Sequence, residues 1–153
     1  MKSQLLYGSL WMARKIENTY IISIHDGASI IATLKDFVQT QKIKAGRISG
    51  VGVIHQVLLR FLSPFGKKYI EGKIHATSDA SDISGNISEN EGKPMLHLHV
   101  VLRLSEHTVL DGLLMDGKVR GKAEFILHPM ENQLVISKNK KEHSHTIHVK
   151  RWN

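Results

Sequence analysis

The sequence predicts an α+β domain, with a mostly antiparallel sheet packed against one principal helix. Three observations carry this. Ile30, Ile31, Leu34, Phe37 and Val38 recur at helical spacing. After Gly46 the chain turns to short runs rich in β-branched and aliphatic residues. Turn-forming pairs such as Asp26-Gly27 and Asp116-Gly117 separate these segments. An early helix followed by a strand meander suits an antiparallel sheet better than alternating βαβ units.

Thr19–Ile24 reads as the first clear strand. Asp26 is placed to cap the following helix, whose polar face would hold Thr33, Asp36, Gln39 and Thr40. Gly46 is a candidate helix terminator. Arg47–Val53 leads into Gln56–Phe61, and Gly50 and Gly52 between them suggest close packing between strands. A lone Gly-x-Gly that follows a helix is the reverse of a dinucleotide site. Ser63–Gly66 turns into a return strand from Lys67 to Ile74. Ile83–Ile87, Met95–Leu104, Val109–Leu114 and Lys118–Leu127 follow, with Asp116-Gly117 as a hairpin turn between the last two. Leu134–Ile136 would close the sheet. This divides the chain into a lead-in strand or arm (1–17), the domain proper (18–137) and a basic, histidine-containing flexible tail (138–153).

With 153 residues, 41% hydrophobic and 23% charged, the chain is long enough for one sizeable core and too apolar to stay disordered. It contains no cysteine, so any metal must be held by nitrogen and oxygen, and a reducing cytoplasmic location is expected. No apolar run approaches the ~20 residues of a membrane helix, and no membrane association is expected. The formal charge is +7, unevenly placed. Lys138, Lys140, Lys141, Lys150 and Arg151 stand against Glu142 alone, so the final segment carries +4 and the remainder +3. That distribution is a candidate nucleic-acid contact through a basic arm, or a solubilising tail.

Met95–Leu102 carries the most suggestive chemistry. Strand alternation puts Leu96, Leu98, Val100 and Leu102 on the core face, with His97, His99, Val101 and Arg103 on the other. The two histidines then stand about 6.6 Å apart along the strand. Two neutral imidazoles at that spacing can share a zinc ion, and Glu124 is a candidate ligand or general base. Two hydrogen-bonded surface histidines would read the same way.

The order of these blocks resembles the plants-and-prokaryotes conserved (PPC) domain, also found in plant AT-hook proteins. The likeness rests on Ile48–Val53, Ser84-Gly85-Asn86-Ile87, Gly92–Val100 with its His97-Leu98-His99, and Ala123-Glu124. It covers about residues 18–137 and includes Asn86 as a polar site candidate. It implies an α/β sandwich assembled as a homotrimer, with DNA association and an assembly role toward an unidentified protein partner. The Arg-Gly-Arg-Pro hook of the plant proteins does not occur here. The resemblance further implies, as in some prokaryotic members, a metal held by the two strand histidines and a third from a Gly-Gly-His-Leu turn. Here that turn reads Asp111-Gly112-Leu113-Leu114, and leucine cannot ligate. Asp111 and His55 are the candidate substitutes.

With no nucleophile–base pair and no phosphate-binding loop in the sequence, a non-enzymatic, oligomeric, DNA-associated or regulatory role is the favoured expectation. The alternative is a metal-dependent or small-molecule-binding protein, with zinc as candidate cofactor, built on the His97/His99 strand.

Overall fold

The computed structural model describes residues 2–62, 68–75, 78–130, 134–139 and 144–149. The strands are β1 (Ser3–Tyr7), β2 (Trp11–Ile16), β3 (Thr19–Ile24), β4 (Gly46–Leu62), β5 (Tyr69–Ile74), β6 (Ser78–Asn90), β7 (Lys93–Arg103), β8 (Val109–Pro129), β9 (Leu134–Asn139) and β10 (Ser144–Val149). The helix, α1, spans Ile30–Thr40. The fold is therefore α+β, as expected, with every strand pairing antiparallel.

Eight strands form one sheet in the order β1-β2-β3-β8-β7-β6-β4-β5, and β8 also pairs with β4. The path β8–β4–β6–β7 thus returns to β8 and closes a ring. Two long strands make this possible, because each serves different partners at its two ends. β8 gives residues 109–113 to β7 and 123–127 to β3, while its other edge follows β4. β4 bends through register shifts at Gly50/Gly52, Gly52/Ile54 and His55/Leu58, and Gln56 has φ 50°. A Cβ on Gly50 would meet the Phe125 ring and one on Gly52 would meet Ala123, so the glycine pair marks the close approach of β4 to β8.

The ring encloses Ile48, Ile54, Leu59, Ile83, Leu98, Val100, Val119 and Phe125, all buried. α1 packs beside β7 and β8. It buries Ile30, Leu34, Phe37 and Val38, and also Thr33, which the spacing had put on the polar face. Phe37 anchors it, edge-on to Trp11 (4.8 Å) and Tyr20 (5.3 Å), while Trp11 Nε1 donates to Asp36 Oδ2 at 2.9 Å.

Several local expectations are corrected. Ser29, not Asp26, caps α1 by accepting from the Ala32 N–H, and Asp26 instead accepts from the Gly121 N–H. The helix ends at Thr40, six residues before Gly46, which opens β4 where a Cβ would strike the His128 carbonyl. Asp116-Gly117 is not a hairpin turn, because β8 runs through it without a break and neither residue has positive φ. Asp116 Oδ1 instead accepts from Ser29 Oγ (2.7 Å) and the Gly117 N–H (2.8 Å), tying β8 to the start of α1. Two-residue turns stand instead at Glu17-Asn18, between the paired Ile16 and Thr19, and at Glu91-Gly92, whose two residues are both at positive φ, between the paired Asn90 and Lys93.

The lead-in segment forms the β1–β2 hairpin, which joins the sheet through β3. β9 pairs with β10 in a separate two-stranded sheet and does not close the main one. Part of the segment expected to be a flexible tail is thus strand, consistent with its β-branched Thr146, Ile147 and Val149. The Ser63–Gly66 turn lies outside the described residues.

Candidate functional site

Antiparallel partners directly opposite one another share a face, so the registers trace transverse rows across the outside of the sheet. One row runs Leu5–Arg14–Ile21–Ile126–Ser49–Ser84–His99 and ends on Leu113. A second contains Tyr7, Met12, Ser23, Glu124 and Val51. A third passes from Arg47 through Asn86 to His97. His97, His99, Asn86 and Glu124 therefore all lie on the outer face, the two histidines as the alternation of β7 predicts.

The outer face is unexpectedly apolar. Tyr7, Leu5, Met12, Ile21, Ile126 and Val51 are all exposed, Val51 by 54%. Ile21, Val51 and Ile126 line a groove of about 490 Å³ together with Ser49, Gly50, Asp82, Glu124 and Phe125. The Glu124 carboxylate is held by Lys122 Nζ at 2.9 Å, a contact that occupies one face of the candidate base. A cue was present in the sequence. Thr19–Ile24 has Tyr20, Ile22 and Ile24 on the core face but also Ile21 on the other, the pattern of a strand with both faces covered.

Among the described residues the donor set for a metal does not come together. His99 faces Leu113 of β8 directly, and Asp111 is two pairs further on, opposite Val101. His55 lies on β4 opposite Lys118. Among the described residues no group of three or more His, Asp or Glu side chains could hold a metal ion. The two strand histidines alone do not fit the three-ligand site of a bound zinc.

A second concavity opens where β8 leaves β7. β8 pairs with β7 only as far as Leu113↔His99, then runs on along β4. The gap between Pro94–His97 and Leu113–Met115 is faced by Ile31 and Lys35 of α1 and by Arg60 of β4, enclosing about 230 Å³. Sequence reading singled out neither Lys35 nor Arg60, because nothing local links a helix surface lysine to a strand arginine 25 positions later.

The basic residues of the final segment are only partly placed. Lys138 lies on β9, opposite His145. Lys140, Lys141, Lys150 and Arg151 lie outside the described residues. No helix among the described residues is long and apolar enough to cross a membrane.

Residues 12–131 match the family model of the Plants and Prokaryotes Conserved (PCC) domain. No curated protein matches the chain. Among solved structures, a candidate DNA-binding protein from Bacteroides thetaiotaomicron is 28% identical with a TM-score of 0.85, over 94% of this chain and all of that one. A plant- and prokaryote-conserved protein from Pyrococcus horikoshii is similar at 20% identity and TM-score 0.73, covering 91% of this chain and 95% of that one. A metal-containing protein from Archaeoglobus fulgidus shares the fold at 19% identity and TM-score 0.74, covering 84% and 91%.

Proposed function

The chain belongs to the Plants and Prokaryotes Conserved domain family, and from that premise we propose that it is a non-enzymatic, self-associating protein that acts on DNA. The observation that carries the DNA reading is the placement of charge. The matched domain ends at residue 131, and the segment beyond Ser137 holds five basic residues against one acidic. Such a segment attracts phosphate without reading sequence, and its grip weakens steeply with salt. The Bacteroides protein, described as a candidate DNA-binding protein, supports the same reading.

Self-association supplies the strength that one short basic segment lacks. The exposed row of Leu5, Ile21 and Ile126, flanked by Met12 and Val51, is the kind of apolar surface that oligomers cover. The family likeness favours three copies, whose basic segments would bind one duplex together. Fluorescence anisotropy with a labelled duplex tests this, comparing the native chain with a full-length variant in which all five basic residues are glutamine. Salt-sensitive binding that the variant loses is the expected result. Equal binding by both proteins, or none at low salt, would overturn it.

A further inference from the structure

The cavity beside α1 has no part in that reading, and its chemistry points to a ligand of its own. Its origin is topological. β7 is paired with β6 along its whole length, but its opposite edge loses β8 at residue 99, so among the described residues the backbone from Pro94 to Leu96 has no strand neighbour on that side. A strand edge facing a cavity offers backbone hydrogen-bonding groups to whatever fills it.

The lining is sorted by charge as well. Ile31, Leu96, Leu114 and Met115 supply apolar wall, Lys35 and Arg60 are cations, and among the described residues no carboxylate lines the space. Glu71 accepts from one Arg60 Nη at 2.8 Å, leaving other guanidinium donors. Lys35 is exposed and has no ion-pair partner among the described residues. Two cations over an apolar pocket form an environment for an anion with an aliphatic body, with Arg able to grip a carboxylate in two-point fashion.

We propose that this cavity binds a small aliphatic carboxylate, its head held by Lys35 and Arg60 and its chain against Ile31, Leu96, Leu114 and Met115. Size sets the class. At roughly 30 Å³ per atom-sized unit, as for liquid water, 230 Å³ holds about eight non-hydrogen atoms, the size of a six-carbon acid. The site stands independently of DNA binding, since none of its residues belongs to the basic segment.

The test is a titration of the full-length protein with hexanoate, with hexanamide as the uncharged isostere, followed by amide NMR shifts and calorimetry. Hexanoate should saturate at one per chain with Kd on the order of 1 mM, fitting a ligand of about eight atoms. Shifts should concentrate at Ile31, Lys35, Leu96 and Leu114. Hexanamide should bind at least about tenfold more weakly, as should hexanoate to Lys35→Met, the loss expected for one charge-assisted contact. Lys35 is exposed, so this variant keeps the fold, and an unchanged spectrum away from the cavity verifies that. Equal binding of acid and amide would overturn the ligand class. Undiminished hexanoate binding by Lys35→Met, or no saturation by about 20 mM, would overturn the site.

Discussion

Replacing Gly117 and Gly92 separately by alanine tests the path of the chain where sequence signals and structure part company. Had Asp116-Gly117 been a two-residue hairpin turn, Gly117 would need positive φ, and alanine there would cost about 1–2 kcal/mol. In the structure Gly117 sits inside β8 with an ordinary φ. A Cβ there would meet Ile54 Cδ1 and Leu114 Cδ1 at 3.6 Å and Val57 Cγ2 at 3.7 Å, which is normal packing distance. The added methyl also restricts the unfolded chain. Gly117→Ala should therefore leave stability within about 0.5 kcal/mol or raise it by as much as ~1 kcal/mol. Gly92 is the control. Its φ of 78° strains any L side chain although nothing lies within 4 Å of a built Cβ, so Gly92→Ala should lose about 1–2 kcal/mol from the backbone alone. Urea unfolding at one fixed protein concentration, read by the fluorescence of buried Trp11, measures both. A loss in Gly117→Ala equal to that in Gly92→Ala would refute the continuous β8.

Three further outcomes follow from named contacts. Asp116→Ala removes the acceptor for Ser29 Oγ and the Gly117 N–H and should cost about 2–3 kcal/mol, with Asp116→Asn costing less because an acceptor oxygen remains; a cycle with Ser29→Ala should show coupling of about 1 kcal/mol. Phe37→Ala empties a fully buried site between Trp11 and Tyr20 and should cost about 3–5 kcal/mol in the same unfolding assay. Ile126→Glu, placed in the middle of the exposed apolar row, should shift sedimentation from oligomer to monomer with the far-ultraviolet dichroism unchanged. A wild-type chain that is monomeric at about 50 μM would refute the interface.

The legible parts of the fold were those written in local periodicity. The stripe from Ile30 to Val38, the alternation through His97 and His99, and the strand Thr19–Ile24 all stand where their spacing puts them. What spacing could not convey was length and closure. Gly50 and Gly52 mark the close approach that their place in the sequence suggests, but the unbroken runs of β4 and β8 through their glycines could not be read locally. Asp116-Gly117 has the composition of a turn, but the Asp116 carboxylate finds a better partner in Ser29, 87 positions away. The β1–β2 hairpin was obscured because β1 is exposed on nearly all of its residues and so lacks a buried period.

The candidate sites divide in the same way. Alternation alone puts His97 and His99 on the outer face, and the registers agree and place Glu124 there as well. Leu113, where the resemblance implies a third histidine in some members, pairs with His99. Lys35 and Arg60 were not readable, because their cavity exists only through the divergence of β8 from β7.

The DNA contact proposed above lies in the basic segment after Ser137, beyond the matched family domain. The most direct measurement is the slope of log affinity against log salt for a duplex, in the native chain and in the full-length variant with Lys138, Lys140, Lys141, Lys150 and Arg151 changed to glutamine. Five phosphate contacts per chain correspond to a slope near about −4.5, so the native protein should show at least that and the variant should lose most of it, with affinity at low salt falling at least about tenfold. The same slope and affinity in both proteins, or no binding by the native chain at about 20 mM salt, would contradict it.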